Sequence, residues 1–181
     1  MPYLGSTLFV VTLVAALLLA LTAYWLLVRA LAPRFVERSR ERWRRRPILT
    51  TLLGGVIGGL GTGVGLLLMS LDVGVAKLAG AGMITALLAV ALAGAAGLAA
   101  RVGEGLASPS DDGREWFQTL KGGAVLELSF LLPFFGWLVL MPLAIYGGFG
   151  AALSAAVQGL VERGVSRSET EASETLRARS A

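Results

Sequence analysis

The sequence predicts an all-α, polytopic helical membrane protein with four to five hydrophobic segments, a Pro/Gly-broken C-terminal hairpin and a basic interfacial helix. Composition is the first reason: 55% of the 181 residues are hydrophobic and only 15% are charged, which leaves too little polar surface for a soluble globule of this size. The second is that the apolar residues form runs of about 20 or more, the length that a helix needs to cross a bilayer. The third is a dense basic stretch between the first two runs, which is typical of the cytoplasmic side of a membrane.

The basic stretch, Arg29 to Arg46, sets the predicted topology. It contains eight of the sixteen Lys and Arg residues. Because short loops rich in Arg and Lys stay on the cytoplasmic side, we expect a multi-pass protein of the cell inner membrane with its N-terminus outside. Pro33 suits the first turn of a helix, and Phe35 and Val36 share a face with Trp43, which predicts an aromatic face in the acyl boundary and guanidinium groups on lipid phosphates. The residues expected at the lipid headgroups are Arg34, Arg38, Arg42, Trp43, Arg44, Arg45 and Arg46.

Anionic phospholipid is the partner that this charge distribution predicts. The formal charge is +4 and the pI is near 10.1, values that in a soluble protein would suggest nucleic acid. Most of the excess charge lies in one stretch flanked by apolar segments, so we expect lipid headgroups and no nucleic acid. An alternative left open is a solvated charge run that only sets the topology.

One membrane domain, residues 1–161, is predicted to contain up to five crossings. The run 8–28 has 21 uncharged residues, close to the roughly 20 that cross a hydrocarbon core. The run 128–161 has 34, which as one straight helix would measure about 51 Å, so Pro133 and Gly136 are predicted to break it into a hairpin. The predicted elements are spans at 8–28, 48–71, 78–100, 116–132 and 136–160, a basic cytoplasmic helix at 29–46, a cytoplasmic loop at 101–115 and a flexible tail at 162–181.

The side of the C-terminal end stays open between two topologies. Five full crossings from an outward N-terminus place that end inside. A re-entrant half-helix at 116–132 would place it outside. The segment 162–181 has four acidic and four basic residues, so its charge does not decide between the two.

Glycines are crowded into the second apolar segment, 48–71. Such a run would be a poor helix in water, but unpaired backbone groups are so costly in lipid that we still expect a helix. The glycines repeat with GxxxG spacing, which lets a neighbouring backbone approach closely. We therefore predict packing on another helix, within the chain or in an oligomer, and disfavour a phosphate loop or a carbonyl-lined filter because no strand precedes the run. The residues predicted to pack are Gly54, Gly55, Gly58, Gly59, Gly61, Gly63 and Gly65.

No catalytic, cofactor or metal site is predicted. The chain contains no Cys and no His, so it lacks thiol chemistry and the commonest general base and metal ligand, and we expect it not to be an enzyme. Glu127 is the one charged residue in an otherwise apolar segment, which makes it a candidate proton or cation site; the alternative is a structural role, salt-bridged or protonated. Asp111 and Asp112 resemble an acid pair, although an exposed turn is favoured.

Two stretches resemble the C-terminal membrane module of bactofilin-like, polymer-forming bacterial proteins. LAPRFVERSRERWRRRPILTTLLGGV, from Leu31 to Val56, is similar to the start of that module, where a basic amphipathic helix follows one span and Arg-Pro leads into the next. LLPFFGWLVLMPLAIYGGFGAAL, from Leu131 to Leu153, is similar to its closing segment.

The likeness to this module extends from Leu8 to Ala156 in order and spacing. In that family an extracytoplasmic β-helical domain precedes the first span, which agrees with an outward N-terminus. The sequence here includes neither that domain nor the Gly-Ile-Pro often found near the end of the second span. The resemblance therefore implies a membrane module without the polymer-forming domain, and it implies no catalytic residues.

The leading functional expectation is a non-enzymatic scaffold or assembly protein that packs through its glycine-rich faces and binds anionic lipid or partner subunits. It is expected to be a homo-oligomer or a subunit of a larger membrane complex. One alternative is a small channel or transporter that uses Glu127. Another is an accessory structural subunit of a respiratory, photosynthetic or secretion complex, which without His would contribute packing rather than redox ligands.

Overall fold

The structure, a computed structural model, describes residues 2–106, 108 and 115–162, and within these ranges it contains six helices and no strand. Four of the helices are long and apolar enough to cross a membrane. The predicted all-α, polytopic fold class is therefore confirmed. The helices are α1 (Pro2–Leu31), α2 (Pro33–Arg45), α3 (Pro47–Ser70), α4 (Gly74–Gly105), α5 (Glu115–Phe130) and α6 (Gly136–Glu162), of which α1, α3, α4 and α6 are the four long apolar ones.

Two prolines separate the first three helices. Proline lacks a backbone N–H and disfavours helix in the residue before it. Ala32 and Arg46 each leave the helical region, with φ −138° and ψ 62° at Ala32 and φ −147° and ψ 67° at Arg46. Pro33 and Pro47 then begin α2 and α3. Each break is one residue long, so α2 is held closely between two long helices.

Helix α4 lies at the centre and contacts each of the other five helices. Small residues line its buried surface, which includes Gly94 and Gly103. A Cβ at Gly94 would overlap the carbonyl of Gly148 in α6, and a Cβ at Gly103 would overlap the carbonyl of Gln118 in α5. Backbones therefore touch directly, as in small-residue packing between membrane helices.

The buried core lies on the half of α4 nearest its C-terminal end. Trp25 of α1, Val36 of α2 and Leu126 of α5 pack there on a row of alanines. The large side chains come from the outer helices and the small ones from α4, so that large and small residues pack against each other. The alanines are Ala95, Ala96, Ala99 and Ala100.

The C-terminal apolar run is broken into a hairpin at Pro133 and Gly136, as predicted. Helix α5 has 16 residues, about 24 Å by the rise of an α-helix, and it is not one of the four helices that suffice to cross a membrane. Within α6, the segments Gly136–Leu140 and Leu143–Gly147 are π-helical. They flank Pro142, whose ring cannot take part in the regular ladder of an α-helix.

The end of α6 lies on the same side of the molecule as α2. Glu162, the last residue of α6, forms an ion pair with Arg38 of α2. Helix α5 also starts on this side, because Gln118 lies against Gly103 near the end of α4. The hairpin of α5 and α6 therefore begins and ends on the side of the molecule that carries the basic stretch.

The predicted loop at 101–115 is wrong at its start, because α4 continues as far as Gly105. Arg101 and Glu104 form an i, i+3 ion pair with a 3.6 Å separation in this last turn, which supports the helical extension. Asp111 and Asp112 lie outside the described residues, and so does the predicted tail from residue 163 onwards.

We expect Gly94→Ala to destabilise the fold, because the new methyl group would overlap the Gly148 carbonyl; overpacking of this kind costs about 1–3 kcal/mol. Gly82→Ala on the same helix is the matched control, since nothing lies within 4 Å of a Cβ at that position. The measurement is the free energy of unfolding in mixed micelles. Equal stability of the two variants would contradict the close contact of α4 with α6.

Candidate functional site

Helix α2 is fixed to the protein by its inner face. Val36, Ser39 and Trp43 are buried, and they recur every three to four residues along the helix, so they share one side. A Cβ at Gly97 of α4 would lie 2.6 Å from the Cβ of Ser39. Helix α2 therefore lies directly on the backbone of α4.

The structure corrects the expected position of Trp43. The sequence places this indole at the lipid headgroups, but it is only 5% exposed and its ring lies against Gly147 of α6. Phe35 is half-buried and packs on the core. Glycines in α4 and α6 leave room for this face of α2, so protein contact takes the place of lipid contact.

The arginines of α2 occupy the faces that the protein leaves open. Glu41 forms ion pairs with Arg44 and Arg45, and Arg40 pairs with Glu37 at 2.6 Å. Hydrogen bonds from Arg44 and then Arg45 lower the pKa of Glu41 to about 2. Glu41 is therefore a carboxylate at physiological pH, yet arginines still greatly outnumber acids on α2. The predicted headgroup residues that remain on these faces are Arg34, Arg38, Arg42, Arg44, Arg45 and Arg46.

Two cavities lie where α2 meets the end of α6. The larger, which we call the elbow cavity, has a volume of about 660 Å³ and follows the bend between α1 and α2. The smaller, the arginine pocket, has a volume of about 300 Å³. Arg38 lines both, so the two adjoin. The elbow cavity is lined by Leu31, Ala32, Pro33, Arg34, Phe35, Arg38, Gly159 and Glu162, and the arginine pocket by Arg38, Glu41, Arg42, Arg45 and Gln158.

Three buried donor groups on α2 have no hydrogen-bond partner among the described residues. They are the Ser39 hydroxyl, the Arg42 Nε–H and the Trp43 indole N–H. Buried polar groups in folded proteins are nearly always paired, so a water molecule or a bound group is the expected partner of each of these donors. Arg42 is the member of this cluster that also lines the arginine pocket.

The glycines of α3 divide into four that pack against other helices of the chain and three that do not. Gly54 and Gly58 face α6, where a Cβ at Gly54 would overlap the Tyr146 carbonyl and one at Gly58 would lie 3.2 Å from the Phe149 ring. Gly61 and Gly65 face α4 in the same way, against Leu87 and Ile84. The other three, Gly55, Gly59 and Gly63, have nothing within 4 Å of a Cβ.

Glu127 is buried and tied to a neighbouring helix. It is 5% exposed, and it accepts a hydrogen bond of 2.7 Å from the Thr22 hydroxyl of α1. Among the described residues it forms no ion pair. The cavities beside α2 are lined by other residues. The hydrogen bond between Thr22 and Glu127 therefore connects α1 to α5.

Sequence reasoning missed the polar face of α1. Thr22, Trp25 and Arg29 lie three and four residues apart, and each bonds to another helix. The Trp25 indole is 1% exposed and donates to the Leu92 carbonyl of α4 at 3.1 Å, while Arg29 donates to Thr119 of α5 at 2.6 Å. Helical spacing of residues able to hydrogen-bond was the available signal. Tyr24 and Trp25 lie near the basic end of the first apolar run, where the sequence predicts aromatic rings at the headgroup level. Trp25 is instead a core residue.

Guanidinium groups give the site its chemistry. Arginine presents a planar set of donors that matches the oxygens of phosphate and carboxylate. Within the described ranges, no three acidic side chains gather as a metal site would require. The arrangement can bind an anion at the edge of a cavity that has both apolar and charged side chains in its lining.

We expect Thr22→Val to lower the free energy of unfolding by about 1 kcal/mol, because it leaves the Glu127 carboxyl buried without its donor. Thr12→Val is the matched control on the same helix, at an exposed position. Unfolding in mixed micelles compares the two. If Thr22→Val is no less stable than Thr12→Val, the link between α1 and α5 is not a stabilising one.

Comparison of the chain with protein-family models, curated proteins and solved structures gives no match. The resemblance to the bactofilin-like membrane module therefore stays a prediction. Function is inferred from the chain's own residues and their geometry.

Proposed function

We propose that the protein is a non-enzymatic scaffold of the cell inner membrane that self-associates through the outward face of α3. In this proposal α2 binds anionic phospholipid on the cytoplasmic side. The N-terminus is outside, and the end of α6 is inside together with α2. The four long apolar helices make the molecule a multi-pass membrane protein, and the finer placement follows from the excess of arginine in α2.

The observation that carries the proposal is the open glycine face of α3. Gly55, Gly59 and Gly63 are spaced four residues apart, and in the part of the chain that the structure describes no group lies within 4 Å of a Cβ at any of them. Packing within the chain uses the other glycines of this helix and leaves these three without a role. A GxxxG surface lets a second helix approach closely, which favours helix association in lipid.

A second copy of the chain is the occupant that we propose for the open face, because the same glycine repeat on both helices gives self-complementary surfaces. A different subunit on this face would make the protein part of a larger membrane complex instead.

A channel or transporter that uses Glu127 is less well supported. The carboxyl group is engaged by Thr22 at 2.7 Å, and this contact accounts for its burial. Intramembrane acids that carry protons or cations face a polar path. A cavity of about 510 Å³ that α5 lines through Phe130 is instead apolar, with Leu92 of α4 among its other lining residues.

We expect Gly59→Leu to disperse the assembly, because a leucine side chain on the open face keeps a second helix from close approach. Gly82→Leu is the matched control, since it places the same side chain at an open position on α4. Particle mass in mild detergent and photobleaching steps in bilayers measure the copy number. A wild-type particle that contains one copy, or a Gly59→Leu particle of unchanged mass, would contradict self-association through this face.

The absence of Cys allows the orientation to be tested with single introduced cysteines. We expect Ser6→Cys to react with a membrane-impermeant thiol reagent in intact cells. Arg44→Cys, on the exposed face of α2, should react only after permeabilisation. The reverse pattern of labelling would overturn the proposed orientation.

A further inference from the structure

The elbow cavity and the arginine pocket share Arg38, and we propose that together they hold one anionic phospholipid molecule. Its phosphate group lies between Arg38 and Arg42, and its acyl chains follow Leu31 and Phe35. This site rests on the proposed placement of α2 at the anionic leaflet. Such a site binds a fixed number of lipid molecules per chain, which a diffuse attraction between charged surfaces does not.

Among the described residues, the ion pairs of the arginine pocket leave one of its guanidinium groups without an acidic partner. Arg38 is paired with Glu162, and Arg45 is paired with Glu41. Arg42 has no ion pair among the described residues, and its Nε–H is buried without a hydrogen-bond partner there. A phosphate group in the arginine pocket supplies the counter-charge that the Arg42 guanidinium group lacks.

The elbow cavity has the mixed lining that a lipid requires. Leu31, Pro33 and Phe35 supply apolar side chains to its lining. Arg34, Arg38 and the Glu162 carboxylate that pairs with Arg38 supply the charged ones. Free phosphate has no apolar group that could contact these side chains, whereas a phospholipid carries acyl chains as well as a phosphate. The volume of about 660 Å³ lies within the range of sites that enclose a small organic ligand.

Helix α6 positions Arg38 at the junction of the two cavities. A Cβ at Gly159 would lie 2.8 Å from Nη1 of Arg38, so glycine at this position lets the guanidinium group lie against α6. Glu162 then pairs with it from the next turn. The donors that face the cavities are therefore held in place before a ligand arrives, which reduces the entropy lost on binding.

The opposite flank of α2 provides the matched control. Arg44 carries the same charge and is fully engaged, because its Nε lies 2.8 Å from Glu41. It lines neither the elbow cavity nor the arginine pocket. A diffuse surface would be weakened equally by the loss of Arg42 or Arg44, whereas a discrete site responds to Arg42 alone.

The test is a titration of the full chain in mild detergent with phosphatidylglycerol, followed by native mass spectrometry. We expect one saturable lipid per chain. Arg42→Gln should weaken the apparent Kd about tenfold, as the loss of a charge-assisted hydrogen bond would. Arg44→Gln should change it by less than about twofold. Arg42→Lys keeps the charge but loses the planar guanidinium group, and we expect its apparent Kd to fall between those of the wild type and Arg42→Gln.

Inorganic phosphate and glycerol 3-phosphate distinguish a lipid site from a free phosphate site. We expect neither to displace phosphatidylglycerol at matched concentration. Leu31→Gln should weaken the binding of phosphatidylglycerol and leave any binding of inorganic phosphate unchanged. Three outcomes would each overturn the site. Inorganic phosphate could displace the lipid, Arg42→Gln and Arg44→Gln could weaken lipid binding equally, or lipid binding could fail to saturate. If Arg42→Gln does not fold, Arg38→Gln is compared with Arg44→Gln in its place.

Particle mass separates this site from self-association through α3. We expect Arg42→Gln to weaken lipid binding and leave the mass unchanged. Gly59→Leu should lower the mass and leave the apparent Kd for phosphatidylglycerol unchanged. A loss of lipid binding in Gly59→Leu would contradict a site contained within one chain.

Discussion

Direct contact between helix backbones is the constraint on which the rest of this structure depends. Within lipid there is no hydrophobic driving force between apolar helices, so close packing has to supply the attraction. Helix α4 meets this requirement with a surface of Gly and Ala, and a Cβ at Gly94 or Gly103 would overlap the backbone of the facing helix. All five other helices gather around it.

The same packing explains why the basic helix has two distinct faces. Gly97 of α4 accepts Ser39, and Gly147 of α6 accepts Trp43. These contacts fix the rotation of α2 about its own axis. Arg38, Arg42 and Arg45 are then directed towards the end of α6, where both cavities lie. A helix held only by its charges at a membrane surface would not arrange its arginines in this way.

Helix α3 shows how one glycine repeat can serve two purposes. Gly54 and Gly58 bring the backbone of α3 against α6, and this contact closes the bundle on that side. Gly55 and Gly59, one position further along, face away from the bundle with nothing beside them. The first pair belongs to the fold. The second pair is available for association with another chain, and the scaffold role that we propose depends on it.

The sequence by itself determined the helical class, the number of long apolar helices to within one, and the breaks at Pro33, Pro47 and Pro133. These features depend on apolar run length and on proline, which act locally and can be read along the chain. It also identified the arginines of α2, because charge density is a property of composition.

Only the tertiary structure decided which face of each helix is buried. Trp25 and Trp43 read as interfacial aromatics in the sequence, yet both are core residues, because facing helices provide glycine or alanine surfaces that receive them. The division of the α3 glycines and the meeting of Arg38 with Glu162 likewise depend on which helix lies opposite. A residue's own helix sets its spacing, but its surroundings are set by contacts between segments far apart in the chain, which local patterns do not specify.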